Sequence, residues 1–380
     1  MNIALVGTGF VADYYMTTLK NHPSLRMAGA FDRNSERLKQ FCAFWKIRAY
    51  DSLDGVMADP DVGIVVNLTT PESHYAVSKQ ALDSGKHVYC EKPLAMRYED
   101  AAELVELAAL KGLVLATAPA NGLSDAHALV ARALADDRIG TPRLVYAEME
   151  DGAVFRDRWN TWRSISGAPW PGLHEFEIGC TLEHVGYALS WLVSLFGAVE
   201  SLTSFSAITF PDKGEGTRAI EMAPDFSVGC LRFRNGVVAR VTNGLAAPRD
   251  RSLTILGDGG SITVRDLWDN RSVVHMESTA EPKQFAMKVV NRAEMKLRRF
   301  IPWKPTPGRR LGYPRGPAKG LPSFPSQIDF AAGPAAQAQA IAAGVQPLFS
   351  GKRALHITEV ALALNNASAY PQPYSPRSSF

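Results

Sequence analysis

The sequence predicts an α/β protein in two parts: an N-terminal doubly wound parallel sheet, then an α+β domain with an open, mainly antiparallel sheet. Three observations predict it. Through residues 1–121 short apolar runs alternate with helix-length segments, and parallel strands need such crossovers. From residue 199 apolar runs follow one another directly, joined by Arg234-Asn235-Gly236 and Gly257-Asp258-Gly259-Gly260, sequences suited to hairpin turns. At 380 residues the chain is long for one core and comfortable for two.

The first part reads strand by strand. Residues 3–6 are a short apolar run of the kind found in buried parallel strands. Gly7 to Ala12 turn into a helix ending near Lys20. Residues 25–31 form the second strand, ending at Asp32, and 35–44 a helix capped by Asn34 or Ser35. Residues 62–68 are a third strand. Thr70-Pro71 then opens a helix that Gly85 stops. Strand 87–90, helix 99–110 and strand 113–116 complete this domain. The second domain, 122–370, starts with a helix at 126–135 and a strand at 143–149. A Trp-, Arg-, Gly- and Pro-rich loop is expected over 151–175, and a strong helix over 181–195. Strands follow at 199–207, 225–233, 237–244, 252–256 and 261–264. Helices at 334–343 and 353–367 close it, and the tail 371–380 is expected to be mobile.

Composition narrows the function classes. Hydrophobic residues make up 46% and charged residues 21%, as in ordinary soluble domains. No apolar run is long enough to span a bilayer, and the chain enters a strand without a leader-like segment, so a cytoplasmic protein is expected. The four cysteines, Cys42, Cys90, Cys180 and Cys230, form no Cys-x-x-Cys, so neither disulfides nor a zinc site is expected. The net charge of +3 is uneven: residues 281–320 hold 11 Lys/Arg against 2 Asp/Glu. A basic helix is expected at 285–301 inside an insertion, 281–325. It reads first as a solvated insertion or subunit contact. A lid over a pocket and a peripheral contact with an anionic membrane are the alternatives. Nucleic acid is not expected as a partner, because the charge is local and no recognition motif accompanies it.

Gly7-x-Gly9-x-x-Ala12 sits between a strand and a helix. Gly7 permits the tight turn, Gly9 the close approach of a pyrophosphate, and the free N–H groups of Phe10 and Val11 face the phosphates. Asp32, 23 residues after Gly9, is placed to accept hydrogen bonds from an adenosine ribose. This predicts NAD as cofactor. Arg33 and Arg37 keep NADP as the alternative, although Arg37 reads first as surface charge. Thr69 and Thr70 follow the third strand and fall beside the cofactor. His74, in the next helical turns, is expected at the cofactor site too, in a structural rather than a catalytic role. Glu91-Lys92-Pro93 ends the fourth strand, with Glu91 and Lys92 expected beside the cofactor. Partial desolvation is expected to lower the Lys92 pKa into an acid–base range.

These motifs together resemble the Gfo/Idh/MocA oxidoreductase family (glucose–fructose oxidoreductase, inositol dehydrogenase and relatives). The matching residues are Gly7-Thr8-Gly9, Thr70-Pro71 with His74, and Glu91-Lys92-Pro93-Leu94-Ala95. The resemblance implies a Rossmann domain followed by an open-sheet domain that shapes a substrate pocket. It implies an NAD(P)-dependent dehydrogenase or reductase for a sugar, inositol or sugar derivative, working as a homo-oligomer, dimer or tetramer. Lys92 would bond the substrate hydroxyl, and Lys92-Pro93 would be cis. The family's Asp-x-Gly-x-His segment corresponds to Glu177-Ile178-Gly179-Cys180-Thr181, with His184 one turn later. His184 is therefore either the acid–base partner of Lys92 or a buried helix histidine, and Glu177 and Thr181 are expected to contact substrate. Trp162, Arg163 and Trp170 are expected to hold a sugar or its anionic group. Trp159 reads equally as loop packing. His174, Glu177, Cys180 and His184 match no metal-site spacing, so no metal is expected. The same family plan also allows a glycosidase working by redox elimination, or a dinucleotide-binding regulator without turnover.

Overall fold

A computed structural model describes residues 1–214, 216–279, 292–293, 296, 308–316, 319–323 and 326–380. The basic helix expected over 285–301 lies almost wholly outside the described residues. Among them, no helix is long and apolar enough to cross a membrane.

The N-terminal sheet is parallel, with strands β1 (Asn2–Val6), β2 (Arg26–Phe31), β3 (Ile64–Asn67), β4 (His87–Cys90) and β5 (Leu115–Thr117) in the order β2-β1-β3-β4-β5. Helices α1 (Ala12–Leu19), α2 (Ser35–Trp45), α4 (Pro71–Asp83) and α5 (Tyr98–Leu110) make the crossovers. The expected order of elements holds. A short helix, α3 (Leu53–Ala58), was not anticipated; Ser52 caps it by accepting the Gly55 N–H at 3.0 Å. Strand order reverses between β1 and β3, so their carboxyl ends open a crevice, where ligands of such sheets bind.

The second sheet has eight strands: β6 (Pro142–Glu150), β7 (Val199–Ala207), β8 (Phe226–Phe233), β9 (Val238–Gly244), β10 (Leu253–Gly257), β11 (Gly260–Val264), β12 (Val274–Ser278) and β13 (Arg309–Arg310). Their order is β13-β12-β11-β10-β6-β9-β8-β7. All neighbours are antiparallel except β6 and β9, which run parallel from Leu144↔Val238 to Glu150↔Gly244. That pairing brings Glu150 and Asp151 to the same edge as Gly244 and Leu245. Helix α6 (Asp125–Ala135) precedes β6. Between β6 and β7 the expected loop contains two single 3₁₀ turns and then α7 (Gly172–Ile178), followed by α8 (Cys180–Phe196). The covered face of the sheet and α8 share one apolar core that includes Val185, Leu189, Trp191, Ala239 and Val241.

The last two helices return to the first domain. In α9 (Ala332–Ala343), Gln337 donates to the carbonyls of Val88 and Val114 at 2.9 and 3.0 Å. Helix α10 (Gly351–Asn365) packs against both α5 and α8. The tail is not loose, contrary to the expectation from its composition. Tyr374 exchanges backbone hydrogen bonds with Leu202 at 2.8 and 2.7 Å. The reason is Glu359, 1% exposed on α10. Its carboxylate accepts from the Tyr374 hydroxyl at 2.6 Å and from the backbone N–H groups of Arg377 and Ser378 at 2.7 and 2.8 Å. A buried carboxylate needs such donors, and the tail supplies them.

Candidate active site

A cavity of about 530 Å³ lies at the carboxyl ends of β1, β3 and β4 and is closed on the far side by α7, α8 and the loop after β6. Its dinucleotide end is built as the glycine spacing predicts. Gly7 has φ +99°, and a Cβ there would stand 2.5 Å from the Leu68 carbonyl oxygen. A Cβ on Gly9 would meet no atom within 4 Å, so that backbone faces open space beside the cavity. The N–H groups of Phe10 and Val11 find no protein acceptor among the described residues. Glycine 9 and these donors fit a pyrophosphate.

Asp32 sits differently from expectation. Its carboxylate accepts from the Thr8 N–H at 2.7 Å, the Thr8 hydroxyl at 3.0 Å and the Asn34 N–H at 2.8 Å. Arg37 adds a fork, Nε to Oδ2 at 3.0 Å and Nη2 to Oδ1 at 2.7 Å. Arg37 is therefore not plain surface charge. Burial alone would push the Asp32 carboxyl up, but these donors hold it below the usual carboxylate range. Arg33 and Arg37 both line the cavity here.

Thr69, Thr70, His74 and Glu91 also line the cavity. The Thr69 hydroxyl donates to Asn67 Oδ1 at 2.7 Å, and Thr70 stands at the N-cap of α4 without a capping side-chain bond. His74 is 1% exposed, with Nδ1 2.6 Å from the Pro93 carbonyl and Nε2 3.1 Å from that of Thr69. Burial keeps its pKa below the ordinary value. It ties the turn after β3 to the turn after β4, the structural role expected of it. The Lys92–Pro93 bond is cis. Glu91 accepts the Tyr15 hydroxyl at 2.7 Å and the Lys92 N–H at 3.1 Å.

Lys92 departs from expectation in its charge. Its Nζ lies 2.5 Å from Glu183 Oε2, both side chains being mostly buried. Burial pulls the lysine pKa down, but the Glu183 charge outweighs it and raises it above the ordinary value. Lys92 is a held ammonium, not a softened base. Glu183 in turn is kept below the usual carboxylate range by Lys92, against its burial. His184 Nδ1 stands 2.9 Å from Asp151 Oδ2. Burial lowers the His184 pKa, yet the Asp151 charge prevails and raises it above 6.5.

Two residues of this segment expected to contact substrate do not line the cavity. Glu177 is exposed and lies outside the cavity lining. Thr181 is 0% exposed and donates to Ser227 Oγ at 2.6 Å, toward the sheet. The cause is Gly179, φ +98°, which separates α7 from α8 and resets the helical phase. Glu175 faces the cavity in place of Glu177, and Glu183, His184 and Tyr187 in place of Thr181. Arg163 also stays outside: it is exposed and its Nη1 folds back onto the carbonyls of Asn160 and Trp162 at 2.9 and 2.8 Å. Trp162 and Trp170 do line the cavity, with ring centroids 5.0 Å apart, whereas Trp159 packs on Trp170 and Phe176. His174 reaches across to Glu72 of α4 at 2.8 Å. Among the described residues no cluster of His, Cys, Asp or Glu could hold a metal ion.

Glu175, Glu183, Asp151, Tyr187, Trp268 and Arg249 complete the lining and were not singled out from sequence. For Glu183 a signal existed, since it is adjacent to His184. For Asp151 none did, because only the end of β6 brings it to α8.

Comparison with known proteins agrees with this geometry. Residues 1–118 match the family model described as oxidoreductase family, NAD-binding Rossmann fold, and residues 127–263 match the Gfo/Idh/MocA C-terminal domain. An uncharacterized oxidoreductase of Schizosaccharomyces pombe is 31% identical over 206 residues, 53% of this chain and 53% of that protein. The match thus spans about half of that relative's length. The 1,5-anhydro-D-fructose reductase of Ensifer adhaerens is 28% identical over 256 residues, 67% of this chain and 72% of that protein. The WlbA dehydrogenase of Bordetella pertussis, solved with NADH and UDP-GlcNAcA, shares the fold with TM-score 0.70 at 18% identity, over 97% of this chain and 95% of that one. With both domain models matched in order and an NAD-binding Rossmann domain at its N-terminus, the chain belongs to the Gfo/Idh/MocA oxidoreductase family.

Proposed function

We propose that the protein is an NAD(P)-dependent oxidoreductase that interconverts a secondary hydroxyl and the matching keto group on a sugar, inositol or sugar derivative. Lys92 is the proton-transfer residue. One observation carries this reading: the Lys92 ammonium, 2.5 Å from Glu183, faces the same cavity as the glycine loop. The names of the relatives support the substrate class, since one reduces an anhydro sugar and another was solved with a nucleotide sugar. Bound nicotinamide supplies or takes up the hydride.

The chain's own residues handle the proton. A substrate oxygen beside Lys92 receives a charge-assisted hydrogen bond from its ammonium, which polarises a carbonyl and neutralises a forming alkoxide. In its resting charge state the site gives a proton, which suits reduction. His184, whose pKa the Asp151 charge raises, assists from the adjacent wall. Trp162 and Trp170 offer apolar faces to sugar C–H surfaces.

Lys92→Ala is expected to lower turnover on the order of 10²–10⁴-fold, the usual share of a general acid, with the NADH dissociation constant little changed. A dehydrogenase screen over sugars and nucleotide sugars, followed by NADH absorbance and fluorescence, measures both. Equal turnover in the variant sinks the assignment.

A further inference from the structure

Five carboxylates line the cavity, and four are committed. Asp32 holds Thr8, Asn34 and Arg37. Glu91 holds Tyr15 and the Lys92 backbone. Asp151 faces His184 at 2.9 Å and Arg251 at 3.9 Å. Glu183 is paired with Lys92. The fifth, Glu175, has no hydrogen-bond or ion-pair partner for its side chain among the described residues. On the short helix that Gly179 ends, it faces the cavity while its neighbour Glu177 is exposed to solvent.

The groups around Glu175 come from every wall. Lys92 faces it from the end of β4, Asp151 from beyond β6, and Glu183, His184 and Tyr187 from α8. His174 is the titratable neighbour on its own helix, paired outward with Glu72, and Arg249 completes the lining. An unpaired carboxylate beside an ionised one meets lost hydration and like charge, and both favour the neutral acid. Burial first and Glu183 second push the Glu175 carboxyl up to about 8. Lys92 holds Glu183 the opposite way. Two carboxyls driven apart in one site mark a divided acid–base role.

We propose that Glu175 is a second proton donor of this site, acting through Lys92: it returns a proton to the Lys92–Glu183 pair after Lys92 has protonated the substrate oxygen. The inference rests on the reading of Lys92 given above. In reduction, a Lys92 N–H bond breaks as the substrate O–H bond forms. The amine left beside Glu183 recovers a proton from the Glu175 carboxyl through water in the cavity, since the two side chains are not in direct contact. Water at the open side of the cavity then reprotonates the Glu175 carboxylate. These steps move one proton and no electrons; the electron pair reaches carbon as the hydride.

The test uses the full chain with ¹³C-labelled glutamate side chains, with NADH added. One carboxyl resonance, missing from the Glu175→Gln spectrum, is expected to titrate near pH 8 and to fall toward the ordinary 4.5 in Glu183→Gln. If Glu175→Gln does not fold, Glu175→Asp supplies the assignment by shifting that resonance. A resonance that titrates near 4.5 in the wild type overturns the proposal. In turnover of 1,5-anhydro-D-fructose with NADH, kcat is expected to fall as pH rises through 8. Glu175→Gln should lose that limb at unchanged KM, and Glu175→Asp should restore it. The same limb in wild type and Glu175→Gln, alongside an inactive Lys92→Ala, removes the relay and leaves the function standing. An active Lys92→Ala removes both.

Discussion

Asp32 shows how much one side chain's surroundings change its meaning. Read from sequence, a carboxylate at this strand end repels a 2′-phosphate. In the structure its oxygens are filled by backbone, Thr8 and Arg37, and its charge is answered. Arg33 adds a second guanidinium at the same end of the cavity. We therefore expect NADPH to be accepted beside NADH. Arg33→Ala or Arg37→Ala should weaken NADPH by roughly 10–100-fold, the worth of one charge-assisted hydrogen bond, and NADH by much less. Fluorescence titration with the two cofactors decides it; equal losses for both would point to a fold defect. Glu175 gives a second prediction at this scale. A carboxyl whose folded pKa lies above its unfolded one binds more protons when folded, so stability falls as pH rises from 4.5 to 8. Glu175→Gln removes that loss and is expected to raise the melting temperature at pH 8 more than at pH 5. Gly7, Gly9 and Lys92 were legible from sequence because each stands at a strand end inside a local motif. Asp151 and Glu175 were not, because what matters for them is their neighbours in space.

Elements were more legible than their phase. The parallel pairing of the first domain follows from alternating β-α units, and β7 falls where its apolar run placed it. The sequence places a helix from 181 but not the short helix α7 before it or the break at Gly179, and without these Glu177 and Thr181 are misplaced. Gly179 cannot be judged a break from sequence alone. In space a Cβ there would stand 2.7 Å from Asn365 Oδ1 and 3.0 Å from the Ala223 Cβ, so α10 and the turn before β8 enforce it. The tail was misread for a similar reason. Its Pro- and Ser-rich composition suits a loose end, but Glu359 lies on α10 and needs donors. Removing 371–380 leaves that carboxylate buried without the tail's hydrogen bonds. Destabilisation of roughly 3–5 kcal/mol is expected, the usual cost of breaking a buried charge's partners. Urea titration of the truncated chain measures it, and Glu359→Gln should show a smaller loss.

For the whole molecule, the cavity has walls from both sheets, yet the two sheets are not separate bodies. Helix α9 lies on the parallel sheet, and α10 packs on α5 from one domain and α8 from the other. Urea unfolding is expected to show one transition by fluorescence and by circular dichroism; two separated transitions would show that α10 does not couple the halves. The linkage by α10 also bears on traffic in and out of the site. A cleft between hinged lobes admits its ligand by swinging open, and its radius of gyration shrinks on binding. Here the strut behind the cavity holds the lobes, so ligands are expected to enter without lobe opening, past a rim we place at the lining residues Trp162, Trp170 and His174. Small-angle scattering should then be unchanged by NADH, and exchange rates should respond to substitutions at that rim rather than to any at the junction.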